Sequence, residues 1–523
     1  MIALTDKQFK TFTNEYSEKF FILFLTIGSL DKNYSHDNVS IYDATKNSWF
    51  NFIGSFVNDI KLDLSYKSID NSYNVPNINI SIIDYSVDFI RLSKELAINF
   101  SEFKLYFATN ELSIDEALPL FQGTIGIDTI DIIGNPINMT FLNVDNKYDK
   151  IFPPIVLSTS SVWANLLNDA EKYTGESVPI IYGFLDFPGV PIPLCFDDIT
   201  GSVKYTIANH ALGLNTAIYY TNPNCRIFAD GIEVTSTFWT ASYNSTYQVT
   251  FLTVTRLNYN TYFKGKKITC ACGGLLYNVA TPTYPSIGQV VLHMLQNYSG
   301  LTASLIDLQK IADTIIYLSS YKVARFFNSS STVFETIKEL SLEFPFLFTN
   351  SGFAKTVTCT DYSNIPFTYE LSINKVYLER VKGIKISKVS ELFNKFSARY
   401  KYDALNNRWK GFAYYDSTNN SDCANLKTKI GDVDKEKPAL ELYSVSDLAT
   451  AQNILLAQIK KFSIPKFQIV YKCKHNSIGL ELGDGLYLTD EEINIIRKKF
   501  IVTGKLIGRD FIYLTVENAE NLI

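Results

Sequence analysis

Four histidines are spread through this 523-residue chain, at His36, His210, His293 and His475, and no two stand at a spacing that lets them share a metal ion. The closest thiols are Cys270 and Cys272. A structural zinc site needs a second pair of Cys or His at a partner spacing. The sequence offers none, so Cys270-Ala-Cys272 reads as alternation along a strand. Nucleophile chemistry is no better marked. Gly-x-Ser-x-Gly, His-Glu-x-x-His and a phosphate loop ending in Gly-Lys-Ser/Thr are all absent. Ser29-Leu-Asp-Lys32 and Ser372-Ile-Asn-Lys375 both match Ser-x-x-Lys, without the companion motifs that β-lactamases require. Gly123-Thr-Ile-Gly126 is too short for a dinucleotide fingerprint, and its isoleucines suit a strand interior.

Carboxylates are the remaining route. A glycosidase needs two of them about 5–10 Å apart. Asp128, Asp131, the pair Asp197-Asp198, Glu339 and Glu343 are available, but nothing singles out a pair. Asp484, in Leu482-Gly-Asp-Gly485, would need oxygen ligands at alternate positions and a closing Glu to hold calcium. These are lacking, so it reads as a turn aspartate. No catalytic, cofactor-binding or metal-binding residue is assigned, and the expectation is a protein that is not an enzyme.

The bulk numbers bound the rest. A hydrophobic content of 46% against 19% charged residues is that of a folded protein. At roughly 100–200 residues per domain the chain holds three or four. Tyr and Phe dominate the 14% of aromatic residues and favour half-buried pleated surfaces. A net charge of −5 argues against a dedicated nucleic-acid binder. The tract Arg497-Lys498-Lys499 is balanced by Asp490, Glu491 and Glu492. Seven scattered cysteines suit free thiols in a reducing cytoplasm better than a disulfide scaffold. Met1 to Asp6 has no basic leader pattern, and the apolar run Phe20–Ile27 is far short of the ~20 residues of a membrane span. These features predict a protein soluble when made.

The elements follow from periodicity. Thr5 and Gln8 are spaced as a capping box for a helix over Thr5–Lys19, and Phe20–Ile27 reads as a buried strand. Further strands are predicted at Val57–Tyr66, Ile78–Ile83, Phe103–Ala108, Leu120–Ile127 and Ile137–Val144, with a short helix at Asp84–Glu95. This is a strand run that suits a twisted barrel. Pro153-Pro154 and Ser158–Ser161 mark a boundary, and a helix is plausible at Ser161–Tyr173. Val203–Gly273 is strand and turn, with Ala229-Asp230-Gly231 a hairpin turn. Capping boxes at Ser286/Gln289 and Thr332/Glu335 open two helices. Phe393–Tyr415 reads as two strands joined at Ala404–Asn407, and Asp416–Lys437 as a polar surface loop. Near the end, Leu448, Ala451, Leu455, Ile459 and Phe462 line one helix face, capped by Ser446 or Asp447. That helix is expected to cross onto a meander of strands at Phe467–Tyr471, Leu486–Leu488, Phe500–Val502 and Phe511–Val516.

Several stretches, taken in order, resemble the baseplate hub and central tail-tip proteins of tailed bacteriophages. Phe103-Lys-Leu-Tyr-Phe107 followed by Leu120-Phe-Gln-Gly-Thr-Ile125 is similar to their opening barrel strands. Val178-Pro-Ile-Ile-Tyr-Gly183 resembles a segment found in some of them. Ser330–Leu342 leading into Phe346-Leu-Phe-Thr-Asn-Ser-Gly352 looks like their helix and hairpin. Ala449–Pro465, Leu480–Leu488 and Phe500–Val516 look like their closing helix, turn and last strands. Asn222–Gly273 matches no part of the family and reads as an insertion.

The resemblance implies a β-rich α+β, multidomain chain: two tube-like β-barrel domains plus smaller α+β and β insertion domains. The expected division is residues 1–155 (N-terminal barrel), 156–280 (β-rich insert), 281–375 (α+β) and 376–523 (barrel-like, with one helix). It further implies a homotrimer at the tail tip or baseplate of a virion assembled in the bacterial cytoplasm. Partners would be tail tube, distal tail, tape-measure and fibre proteins, with DNA passing through unbound. An acidic balance suits such a conduit, because a lumen that attracted phosphate would retain the genome. A tail-associated adhesin that binds host glycan is the alternative, drawn from the Tyr content and the Asn-rich loops.

Overall fold

The computed structural model describes residues 4–14, 17–27, 30–54, 56, 60–67, 72–74, 78–83, 102–131, 137–143, 147–155, 175, 177–185, 190–192, 194–197, 201–212, 225–276, 283–372, 377–381, 383–404 and 406–522. The helices expected at Asp84–Glu95 and Ser161–Tyr173 lie outside them. The chain is β-rich, with strands gathered in several sheets and helices concentrated in its second half.

The first large sheet is built on Lys19–Ile27, whose sequence KFFILFLTI is almost continuously apolar and is buried on both faces. Its strand order runs Val39–Asp43, Ser48–Gly54, Leu30–Ser35, Lys19–Ile27, Glu102–Thr109, Leu118–Asp131, Ile137–Asn143, Ile78–Ile82. Phe56 then bridges Ile82, and its N–H donates to the Ser35 carbonyl. The strands from Leu30–Ser35 round to Ile78–Ile82 thus close on themselves through one residue, as a barrel does. The hairpin Val39–Asp43/Ser48–Gly54 covers the outer side, where Ile41 and Phe52 pack on Phe20 and Ile22. Sequence reading had no strand there, because every second residue of Ser48–Gly54 is polar or exposed.

The second large sheet runs Phe367–Ser372, Gly485–Asp490, Ile495–Ile507, Ile512–Asn518, Phe467–Cys473, Tyr377–Arg380. Its end strands are joined by residues 373–376 alone. Laid flat, five inter-strand spacings would separate them by about 24 Å, whereas the chain from Ser372 to Tyr377 reaches at most about 18 Å. The sheet is therefore curled. The expected simple meander is corrected at one point: Phe467–Cys473 pairs with Ile512–Asn518, the last of the meander strands and not the next one. A second surprise is Leu62–Lys67, which leaves the first sheet's part of the chain and pairs with Gly504–Ile507. The two sheets share one core, in which Phe21, Phe107 and Phe121 of the first meet Tyr471, Leu486 and Phe500 of the second. Phe107 is central to it, edge-on to Phe21, tilted against Phe12 of the capped helix Asp6–Thr13, and stacked on His475 at 5.2 Å.

Helices Ile287–Asn297, Leu308–Tyr317, Val333–Glu343 and Leu448–Phe462 form a second core with the hairpin Phe346–Ser351/Ala354–Cys359 and the sheet Arg408–Tyr415, Phe396–Asp403, Leu440–Leu442. Leu448–Phe462 is capped by Asp447, as expected. Its buried face packs on Phe396, Ala398 and Ala413 rather than on the strands that follow it, which corrects the small α+β unit read from the sequence. The polar stretch 416–437 is likewise no plain loop. It contains the helix Ser421–Lys429, capped by Asn420, which buries only Cys423 and Leu426.

Two four-stranded sheets, from Val190–Pro191 to Ile268–Cys272, make a sandwich with its own core. The turn after Cys225–Ala229 has Asp230 at φ 51° and Gly231 at φ 82°, the doubly positive geometry of a two-residue hairpin. The sandwich is fastened to the helical module by strand Ile180–Tyr182, paired with Arg325–Phe327. Gly183, at φ +70°, lets the two backbones approach so closely that a Cβ there would lie 2.1 Å from the Val323 carbonyl oxygen.

Candidate functional site

The residues that looked most chemical in the sequence prove to be engaged structurally. His210 Nε2 accepts from the Ile181 N–H at 3.1 Å, so its Nδ1 carries the proton and donates to the Ala211 carbonyl at 2.8 Å. Burial lowers its imidazole to about 4. His475 is lowered to about 4 as well, by burial and then by Lys19. His293 meets the Tyr182 hydroxyl at 3.0 Å, and burial lowers its value too. His36 packs edge-on against Phe56.

Cys270 and Cys272 lie on one strand with sulfurs 3.8 Å apart, inside the sandwich. Cys225, Cys270, Cys272, Cys359, Cys423 and Cys473 are free and buried. Among the described residues no group of three His, Cys, Asp or Glu could hold a metal ion, and no helix is long and apolar enough to cross a membrane.

The carboxylates fare alike. Arg325 takes both Glu339, at 3.5 Å, and Glu343, at 2.9 Å. The Ser444 N–H fills the other Glu343 oxygen at 2.9 Å. Burial raises the Glu343 carboxyl against the pull of Arg325 and Ser444. Neither acid is left to activate a water. Asp128, Asp131, Asp197 and Asp198 lie outside the described side chains, as do Ser29 and Lys375 of the Ser-x-x-Lys matches. Gly123 and Gly126 lie inside the strand Leu118–Asp131. The basic tract Arg497-Lys498-Lys499 runs along the strand Ile495–Ile507, with Arg497 over the Tyr487 ring and Lys499 over the Phe367 ring.

Two places remain where polar groups converge. The first is the turn Leu482-Gly-Asp-Gly485. Asp484 Oδ2 accepts from the Glu481 N–H at 2.8 Å, and Gly483 takes φ +84°, as a turn aspartate beside a glycine should. What the sequence hid is Lys310, on helix Leu308–Tyr317. Its buried ammonium pairs with Glu481 and stands 3.5 Å from Asp484. Burial alone would raise the Glu481 carboxyl; Lys310 more than reverses this and holds it at about 2. Lys310 is raised in turn by the two acids, against burial. Lys505 sits beside the same acids and donates to the Ile478 carbonyl at 2.5 Å, and burial lowers it to about 8. A cavity of about 420 Å³ opens here, with Lys310 and Asp484 in its wall. Lys310, Glu481 and Asp484 answer one another, so the arrangement is a clamp between the helical module and the second sheet.

The second place is a cavity of about 690 Å³ between the sandwich and the helical module. Tyr205, Tyr259 and Phe263 wall it on the sandwich side, the last two from a wide helical turn at Tyr259–Phe263. Phe326 and the Asn328-Ser329-Ser330 segment face them from the module. Lys266 and Lys267, exposed on the loop after that turn, reach its rim. Among the described residues no carboxylate lies within 4 Å of either ammonium, and none that lines the cavity is acidic. Ser177 lies in its wall, 6% exposed, and its hydroxyl has no hydrogen-bond partner. Gly175 and Gly265, also in the wall, leave open space where a Cβ would sit. No sequence motif marked these residues, which come from four separate stretches.

No family model matches the chain, and no curated protein matches it. Among solved structures it is similar to a chain of the "Virion of native gene transfer agent (GTA) particle", at 12% identity and a TM-score of 0.42, over 66% of this chain and 85% of that one. A chain of the "Structure of Francisella PdpA-VgrG Complex, Lidded" aligns at 10% identity and a TM-score of 0.31, over 98% of this chain and 54% of that one. One of the "Structure of the Phage P2 Baseplate in its Activated Conformation with Ca" aligns at 8% identity and a TM-score of 0.19, over 72% and 99%. Overlaps this loose carry no argument about what the chain does.

Proposed function

We propose that the chain is a structural, non-enzymatic protein of a bacteriophage tail, forming the hub or tip that closes the tail tube and opens for DNA passage. In this reading residues 1–155 and 376–523 supply most of two wall units, with Leu62–Lys67 and Phe367–Ser372 adding strands to the second; 156–280 is an inserted β unit, and 281–375 an α+β unit against which 396–462 packs. The ring would be a homotrimer in a virion, assembled in the host cytoplasm with tail tube, distal tail, tape-measure and fibre proteins around it. The observation that carries the reading is the pair of curled sheets joined by one apolar core. One chain thereby holds two barrel-like units rigidly side by side, and the free edges of the second sheet invite pairing with neighbours. The ordered sequence resemblance supports the same role. So do Glu339, Glu343 and the histidines described above, which are tied into structure.

Light scattering of the purified protein, followed by negative-stain imaging, tests the proposal. A trimer with a central opening is expected. A protein that stays monomeric alone and when mixed with purified tail-tube subunits would sink it.

A further inference from the structure

The segment 381–389, which follows the end strand Tyr377–Arg380 of the second sheet, exposes more large apolar side chains than any other stretch of its length among the described residues. Val381, Ile384, Ile386 and Val389 are 37–58% exposed. Lys385 and Lys388 stand exposed between them, and among the described residues neither ammonium has a carboxylate within 4 Å. Lys435 donates from its ammonium to the Val389 carbonyl and adds a third positive charge, while Glu391 is turned back onto the Lys388 N–H. Strand Lys385–Ile386 pairs with Phe467–Cys473 on one side, and no described strand pairs with it on the other. Apolar side chains clustered at an open strand edge mark a surface that a partner covers.

A complementary surface lies on the other sheet. The outer face of the first sheet, turned away from the shared core, carries a groove of about 590 Å³. Phe24, Phe50, Tyr106 and Phe353 line it as partly buried rings, and Asp31 and Asp115 stand exposed in its wall. Asp31 accepts from Thr26 and Asp115 from Thr45, and among the described residues neither acid has a cation within 4 Å. Of the other described charges lining the groove, Asp43 pairs with Lys46 and Glu102 with Lys147, so that Lys104 alone opposes the two acids. We propose that the groove receives segment 381–389 from a second copy of this chain. The inference rests on the ring reading above and names the two surfaces through which neighbouring copies meet. Ile384 and Ile386 cover the rings, and Lys385 and Lys388 answer Asp31 and Asp115. A segment that met its own twofold mate would set lysine against lysine. Groove and segment belong to different sheets of one chain, so the contact is head-to-tail, the kind that repeats around a ring.

Light scattering over a dilution series tests the pairing, on the full chain alone or with tail-tube subunits where the ring needs them. Lys385→Asp with Lys388→Asp, and separately Asp31→Lys with Asp115→Lys, should each weaken association at least about tenfold, since like charges then face one another. Combining the two pairs of changes should restore association to within about threefold of the unaltered chain. Ile384→Ser with Ile386→Ser should cost about tenfold or more, from the apolar area left uncovered. All six replaced side chains are exposed, and unchanged far-ultraviolet circular dichroism should show that the variants fold. A ring that either charge reversal leaves undisturbed, or that the combined variant fails to restore, overturns the pairing and leaves the ring reading standing. An unaltered chain that forms no ring in either preparation overturns both.

Discussion

Lys310 and Lys266 are the same side chain in opposite circumstances. Lys310 is buried between two acids that hold it charged, with Lys505 close by. Lys266 projects from an exposed loop beside a cavity, with no carboxylate among the described residues paired to it. The clamp spends its polar groups on one another and so joins two parts of one chain. Lys266, exposed to water, joins nothing among the described residues. A census of partners, more than residue type, separates structure from recognition in this molecule.

The comparison breaks if both lysines matter equally for stability. Lys310→Met should lose about 3–5 kcal/mol, because Glu481 and Asp484 would be left buried without their cation. Lys505, beside the same acids, keeps the loss near the lower end. Lys266→Met should stay within about 0.5 kcal/mol. Urea denaturation of the two variants gives the contrast directly, and similar midpoint shifts would mean that the clamp is not what holds the helical module to the second sheet.

Acid sharpens it next. The His475 imidazole sits at about 4 in the folded chain, below its ordinary value of ~6.5. The stability linked to its neutral form is complete above pH ~6.5 and drains as pH falls towards 4, to a total of about 3 kcal/mol. Glu481, at about 2, keeps its contribution above its ordinary value of 4.5 and loses it on the way down to 2. Thermal melts between pH 8 and 3 should therefore fall in two windows. His475→Phe should remove its own share of the upper one, to which buried His210, also at about 4, contributes as well, and Lys266→Met should leave the whole curve in place. A single window unaffected by His475→Phe would count against the stacked His475–Phe107 contact as a pH-sensitive element of the core.

The smallest effect belongs to a purely local device. Asp447 accepts from the Thr450 N–H at 2.8 Å and caps the helix Leu448–Phe462. Asp447→Ala should cost about 1 kcal/mol, well below Lys310→Met. Urea midpoints again rank the two. A larger loss at the cap would mean that helix ends, and not the clamp, limit the module.

Local devices of this kind were what the sequence displayed. The capping boxes at Thr5/Gln8 and Ser286/Gln289, the turn at Asp230-Gly231 and the hairpin across Ala404–Asn407 rest on residues a few places apart, and all are present. At Thr332 the cap forms, but Glu335 turns to Ser331. The helix Ser421–Lys429 was hidden because it buries only two residues and so lacks an apolar stripe. Leu308–Tyr317 is also absent from the expected elements, although Leu308, Ile311 and Ile315 stand at helical spacing and Asp307 caps it. Long-range pairings leave no local trace. Lys310 lies 171 residues from Glu481, and nothing near either announces the other. The cavity was illegible on the same grounds, since Ser177, Tyr205, Lys266 and Asn328 meet only after folding.

Leu62–Lys67 has a consequence for how the chain comes into being. Ser65 pairs with Gly504, so the earlier of these two strands must wait during synthesis for one that lies far along the chain from it. The hydrogen bond from Arg509 to the Lys19 carbonyl bridges 490 residues in the same manner. Such contacts are slow to form because the entropy of closing the loop is lost before they repay it. Until then the early strand keeps an unsatisfied edge that can pair with another nascent copy. A chain interrupted before Ile495–Ile507 is thus exposed to sticking to its neighbours during synthesis, and its yield in soluble form should depend on how soon that strand is made.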